Sequence, residues 1–242
     1  MKTKALSLLI NPILPVALLT LIHTGCSTHH QPERADLETI KQRQVAATPA
    51  EVLEKLKRGN ERFASGKPQH RDMLHDQRTT AAGQYPKAVI LSCIDSRAPA
   101  EFIFDAGLGD LFNARIAGNI ADEDLVGSME FGCKVAGAKL IVVMGHTSCG
   151  AIKGACDNVQ LGNLTGLLSK MKPAVAAVQN VPGERNSKNT AFVEAVAEKN
   201  VQLTVERIRE LSPILREMES QGQLKIVGSV YNLETGRVQF LQ

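Results

Sequence analysis

The chain has 242 residues, 43% hydrophobic and 22% charged, with 19 Gly and 10 Pro, a composition that excludes disordered, collagen-like and coiled-coil proteins. A net charge of +3 leaves no electrostatic footprint for nucleic acid, and the absence of Trp with only 2 Tyr and 7 Phe excludes a base-stacking platform. Five Cys are too few for a disulfide-built scaffold at this length.

Residues 1–25 have the pattern of a signal peptide. Lys2 and Lys4 precede an apolar stretch from Ala5 to Ile22, and Asn11, Pro12 and Pro15 interrupt it, which does not suit a resident membrane helix. Gly25-Cys26-Ser27 resembles a bacterial lipoprotein box, in which Cys26 becomes the lipidated first residue, although His23 stands where the box usually has Leu. The sequence therefore predicts an exported protein, periplasmic or held at the cell envelope, with a membrane contact only through that lipid. Residues 26–47 are polar and mixed in charge and are expected to form a tether, in which His29 and His30 are incidental.

A single domain is expected over residues 48–242. Thr48-Pro49-Ala50-Glu51 is a helix start with a capping hydroxyl, a proline at the first position and an acid where a capping box needs one. That helix runs through Leu53, Leu56 and Phe63. Short apolar runs at 87–93 (KAVILSC), 110–116, 139–145 (KLIVVMG) and 224–230 predict strands. The clearest of them are continuously apolar, not alternating, as in a sheet covered on both faces. Helical patterns lie at 123–137, 150–156, 163–179 and 191–211, the last with Ala197, Val201, Val205 and Ile208 on one stripe. Ser212-Pro213 restarts a short helix that Gly222 ends, and 231–241 closes as a hairpin turning at Thr235-Gly236. Strands alternating with helices predict an α/β fold with a mainly parallel central sheet flanked by helices.

Two of the three clearest strands end in metal-capable residues: Cys93-Ile94-Asp95-Ser96-Arg97 and His146-Thr147-Ser148-Cys149-Gly150. Carboxyl ends of parallel strands share one edge of a sheet, so both clusters should open together. Two thiolates and one imidazole, Cys93, Cys149 and His146, make a zinc donor set, and three protein ligands leave a fourth position for chemistry. Asp95 either takes that position itself or pairs with Arg97, stays ionised and orients a zinc-bound hydroxide. Zinc lowers the pKa of bound water to about 7, so the chemistry implied is attack of hydroxide on a small electrophilic carbon. Singly, each residue has a plain alternative as a buried thiol, a core histidine or a surface ion pair; clustered on two strand ends, they do not.

Cys93-x-Asp95-x-Arg97 followed by His146-x-x-Cys149-Gly150 resembles the β-class carbonic anhydrases. The likeness extends over roughly residues 50–241, through 53–67 (LEKLKRGNERFASGK), Asp110-Leu111-Phe112, Arg115, Ala117-Gly118-Asn119 and the closing YNLETGRVQFL. The resemblance implies the β-carbonic anhydrase fold and reversible hydration of carbon dioxide to bicarbonate and a proton. It also implies zinc on Cys93, His146 and Cys149, with an Asp95–Arg97 dyad whose Asp95 becomes the fourth ligand only in a closed form. Gln84 and Gly150 would face substrate, Gln84 often from the neighbouring subunit, and Phe112 and Phe131 would be apolar pocket residues. A homodimer, or a tetramer built from dimers, is implied too. One bicarbonate-regulated subgroup carries Trp three residues before the first Cys and Val after the Arg; Ile90 and Ala98 stand there, so the unregulated, open type is expected. Cys133 and Cys156 are expected to be buried thiols, with a disulfide left open by the oxidising compartment. A related hydrolase of carbonyl sulfide or carbon disulfide, and a non-catalytic zinc or redox protein, are the other functions weighed; Asp95, Arg97 and Gln84 together disfavour the latter.

Overall fold

The structure is a computed structural model that describes residues 31–241, with side chains from residue 36 onward; residues 1–25, expected to be a signal peptide, Cys26 and the His29-His30 pair lie outside the described residues. Five strands form one sheet: β1 (Ala88–Ser92), β2 (Leu111–Arg115), β3 (Leu140–His146), β4 (Lys225–Tyr231) and β5 (Val238–Phe240), in the order β2-β1-β3-β4-β5. The first four are parallel and β5 returns antiparallel on β4. These are the four predicted strands and the closing hairpin, whose turn bonds the amide of Asn232 to the Arg237 carbonyl at 2.8 Å. Every residue of β1 and β3 is buried, as a strand covered on both faces requires.

The helices are α1 (Gln31–Ala46), α2 (Pro49–Ala64), α3 (Met73–Thr80), α4 (Ala100–Ile103), α5 (Glu123–Glu130), α6 (Gly150–Cys156), α7 (Gly162–Ser169), α8 (Lys172–Ala177), α9 (Thr190–Leu211) and α10 (Pro213–Ser220). α2 begins at the expected capping box, with Thr48 and Glu51 bonded reciprocally. One sheet face carries Leu91, Val143 and Ile226 against Val201, Val205 and Ile208 of α9 and Leu215 of α10. The other carries Ile90, Val142 and Met144 against Val52, Leu53 and Leu56 of α2 and Ile103 of α4. Asn60 ties α2 to the hairpin, donating to the carbonyls of Ile103 (3.1 Å) and Gly236 (2.8 Å) and accepting from the Val238 amide (2.8 Å). Among the described residues, no helix is long and apolar enough to cross a membrane.

Several local expectations change. The helix predicted over 163–179 breaks between α7 and α8, where Pro173 supplies no amide donor. The one predicted over 123–137 widens after α5 into a π-helix, Phe131–Val135. α3 has a readable N-cap in Asp72, which accepts from the His75 amide at 2.9 Å.

The larger correction concerns the tether: most of residues 26–47 is the helix α1, packed on α3. It has no apolar stripe, so hydrophobic period gave no sign of it. It is held instead by Gln44, which is buried and donates from Nε2 to the carbonyls of Pro86 and Ala136, each at 2.7 Å. Gln44→Ala should leave two backbone carbonyls without this donor and lower stability by about 1–3 kcal/mol, read as a reduced denaturation midpoint. An unchanged midpoint would mean that the segment is a tether after all.

Candidate metal centre

β1 and β3 are neighbours running the same way, so the residues that leave their carboxyl ends, Cys93 and His146, lie side by side. The chain then doubles back through Ser148, which takes a left-handed backbone (φ 55°), and Cys149 becomes the N-cap of α6. The three ligand atoms all lie within 4.8 Å of one another, with the two sulfurs 4.0 Å apart. All three residues are buried, and the two cysteines belong to a third apolar cluster with Ile152, Leu168, Met171, Phe192 and Val196.

The histidine shows what the cluster is for. His146 Nδ1 lies 2.9 Å from the Thr147 carbonyl, which can only accept, so the ring proton is on Nδ1. Nε2 therefore presents a lone pair, and it is buried without a hydrogen-bond partner. An unmatched polar atom at such a position costs about 1–3 kcal/mol, which a cation between Nε2 and the sulfurs would remove. Thr147 is itself held from the hairpin side: its amide donates to the Tyr231 carbonyl, and its hydroxyl accepts from the Leu233 amide, both at 3.0 Å.

The thiols are poised for the same occupant. The Cys149 thiol beside it draws Cys93 down to about 4, aided by the His146 imidazole and the Gly118 and Asp95 amides and against the effect of burial. Cys149, facing that thiolate, is pushed up in turn. The pair thus holds one proton readily, and a divalent cation would displace it. Two sulfurs and a neutral imidazole are the donor chemistry of zinc.

Asp95 and Arg97 stand at the mouth. Arg97 donates to Oδ1 from its backbone amide (2.9 Å) and from Nε (2.9 Å), and to Oδ2 from Nη2 (2.8 Å). This fork holds the Asp95 carboxyl well below the usual carboxylate range. Oδ2 lies 3.8 Å from His146 Nε2. Arg115 braces the turn, donating to the carbonyls of Cys93 (2.9 Å) and Asp95 (2.6 Å). The sequence pattern contains Arg115, but its role as a brace appears only in three dimensions.

Gly150 opens α6 directly after Cys149 and is exposed there. Gln84, Phe112 and Phe131 are placed elsewhere. Phe112 pairs with Val89, four residues before Cys93, which at about 3.3 Å per residue puts it about 13 Å back along the sheet. Phe131, itself exposed, packs edge-on against Phe112 at 6.3 Å. Gln84, also exposed, precedes the amino end of β1. The register thus keeps all three from the metal residues of their own chain. Cys133 and Cys156 are free, and burial pushes their thiols up to about 12 and about 11.

Residues 88–238 match the family model described as carbonic anhydrase. The chain belongs to that family. It is 40% identical over 195 residues to carbonic anhydrase 2 of Mycobacterium tuberculosis, covering 78% of this chain and 91% of that protein. It is 33% identical to a carbonic anhydrase of Mycolicibacterium smegmatis, covering 80% and 93% of the two chains. Among solved structures, the β-carbonic anhydrase CafA of Aspergillus fumigatus superposes with a TM-score of 0.62 at 26% identity, over 80% of this chain and 90% of that one. Two tetrameric β-carbonic anhydrases of Sordaria macrospora are represented by a match with a TM-score of 0.58 at 26% identity, over 66% and 83%. By sequence and by fold, the chain is a β-class carbonic anhydrase.

Cys149→Ser replaces a thiolate ligand by a hydroxyl, a poor donor for a borderline-soft metal. The purified variant should lose bound zinc and activity together, read by metal analysis and carbon dioxide hydration. Full metal content and full rate in that variant would remove Cys149 from the donor set.

Proposed function

We propose that this carbonic anhydrase converts carbon dioxide and water reversibly to bicarbonate and a proton at a zinc ion held by Cys93, His146 and Cys149, with Asp95 and Arg97 orienting the attacking oxygen. The observation that carries this is the buried, unpartnered Nε2 of His146 between two thiols, with an ionised carboxylate 3.8 Å away. Zinc on this donor set would lower the pKa of a bound water to about 7 and so would supply a nucleophile at neutral pH.

The chain's own residues do the rest. Arg97 occupies Oδ1 of Asp95 with two donors and Oδ2 with one. Oδ2, which takes one donor from Arg97 and lies 3.8 Å from His146 Nε2, would be free to accept a further hydrogen bond from the attacking oxygen and so orient it. Arg115 holds the 93–95 turn, so the carboxylate and Cys93 keep a fixed separation. Because Arg97 engages Asp95, the open form is the one supported, and Asp95 does not compete for the fourth position.

Stopped-flow hydration from about pH 6.5 to 9 tests this. Wild type should be active across the range, and Asp95→Asn should retain zinc but lose about 10- to 100-fold in rate. A wild-type rate in Asp95→Asn would remove the dyad from the mechanism. No hydration by zinc-loaded, folded wild type would redirect the search to sulfur-containing analogues.

Gln84, Phe112 and Phe131 sit at the far edge of the sheet from their own chain's cluster, and in this reading they serve the site of a second copy. The tetrameric Sordaria relatives support an assembly of that kind. Sedimentation should show a dimer or tetramer, and Gln84→Ala should raise KM several-fold with zinc content unchanged. A fully active monomer would overturn the shared site.

A further inference from the structure

The apolar face of α9 carries a polar residue that packing alone does not call for. Asn200 is 3% exposed, with apolar Ala197 and Val201 beside it on the buried face of the helix. Its Nδ2 donates to the carbonyl of Gly118 at 2.8 Å. The amide of Gly118 in turn donates to Sγ of Cys93 at 3.5 Å. Gly118 is confined to this arrangement: its φ is 74°, and a Cβ there would lie 2.5 Å from Sδ of Met171. The same turn of α9 abuts the other ligand-bearing strand, since a Cβ on Gly145, the residue before His146, would lie 2.7 Å from Cγ2 of Val201.

We propose that Asn200 is a positioning residue for the metal centre: by holding the Gly118 carbonyl, it aims the Gly118 amide at the Cys93 sulfur. This rests on Cys93 being a metal ligand. A backbone N–H donated to a thiolate stabilises its charge and fixes its direction, and outer partners of this kind govern how tightly a metal is held. A buried amide is costly unless bonded, so Asn at this position is explained by the bond it makes.

The test uses the zinc enzyme and its cobalt-substituted form. Asn200→Leu keeps the volume and removes the donor; Asn200→Ser shortens the side chain and carries the measurement should the leucine variant not fold. In either, release of zinc to a chromogenic chelator should be about tenfold faster than in wild type, the lower end for loss of an outer partner. The sulfur-to-cobalt charge-transfer band should shift, which a merely less stable protein would not show. Ile208→Val, lower on the same helix in the sheet-face cluster, should reduce the melting temperature and leave release rate and band unchanged. Wild-type release and an unshifted band in a folded Asn200 variant would overturn the proposal, as would an equal change in Ile208→Val. Wild type that holds no stoichiometric metal would instead overturn the metal assignment on which it rests.

Discussion

The hydrogen bond from His146 Nδ1 to the Thr147 carbonyl is the contact on which the site depends. It decides the tautomer, and the tautomer decides that Nε2 is a lone pair among two sulfurs rather than a donor with nowhere to point. That bond is itself secured from far along the chain, because the β4–β5 hairpin grips Thr147 through Tyr231 and Leu233. Asn60 in turn ties the hairpin to α2. The β4–β5 hairpin therefore braces the candidate metal centre without contributing a ligand.

The burial pattern distributes two tasks. Two apolar clusters on opposite sheet faces hold the strands in register, and a third, around α6 to α9, encloses the ligands. Enclosure raises the cost of each unmatched polar atom, so the site is strongly biased toward an occupant that satisfies all three donors at once. Asp95 lies beside that enclosure, partly buried, and its bonds to the exposed Arg97 keep it ionised against the effect of burial. The step from the buried sulfurs to a partly exposed carboxylate paired with an exposed arginine gives the centre a direction, from an enclosed donor set outward.

One chain presents its metal residues at the carboxyl edge of the sheet and its candidate pocket aromatics near the amino edge. Such a division is natural in a fold that works as an assembly, since two copies bring opposite edges together where one cannot.

The amino-acid sequence by itself determined the strands, most of the helices and the candidate donor set. Continuous apolar runs identify β1 and β3 because both faces are covered; the capping box of α2 is a local arrangement; and Cys93 and His146 are legible at strand ends, with Cys149 three residues past His146. Pro173 was equally local, and its break in the helix over 163–179 could have been read from the missing amide alone. Only the tertiary structure decided the rest. The docking of α1 rests on Gln44 and two carbonyls distant in sequence, with no apolar stripe to announce it. The displacement of Phe112 from its own chain's cluster follows from strand register, and the link from Asn200 through Gly118 to Cys93 spans three separate segments. Periodicity, caps and spacing are written along the chain, whereas a hydrogen bond between remote segments exists only once packing has brought them together.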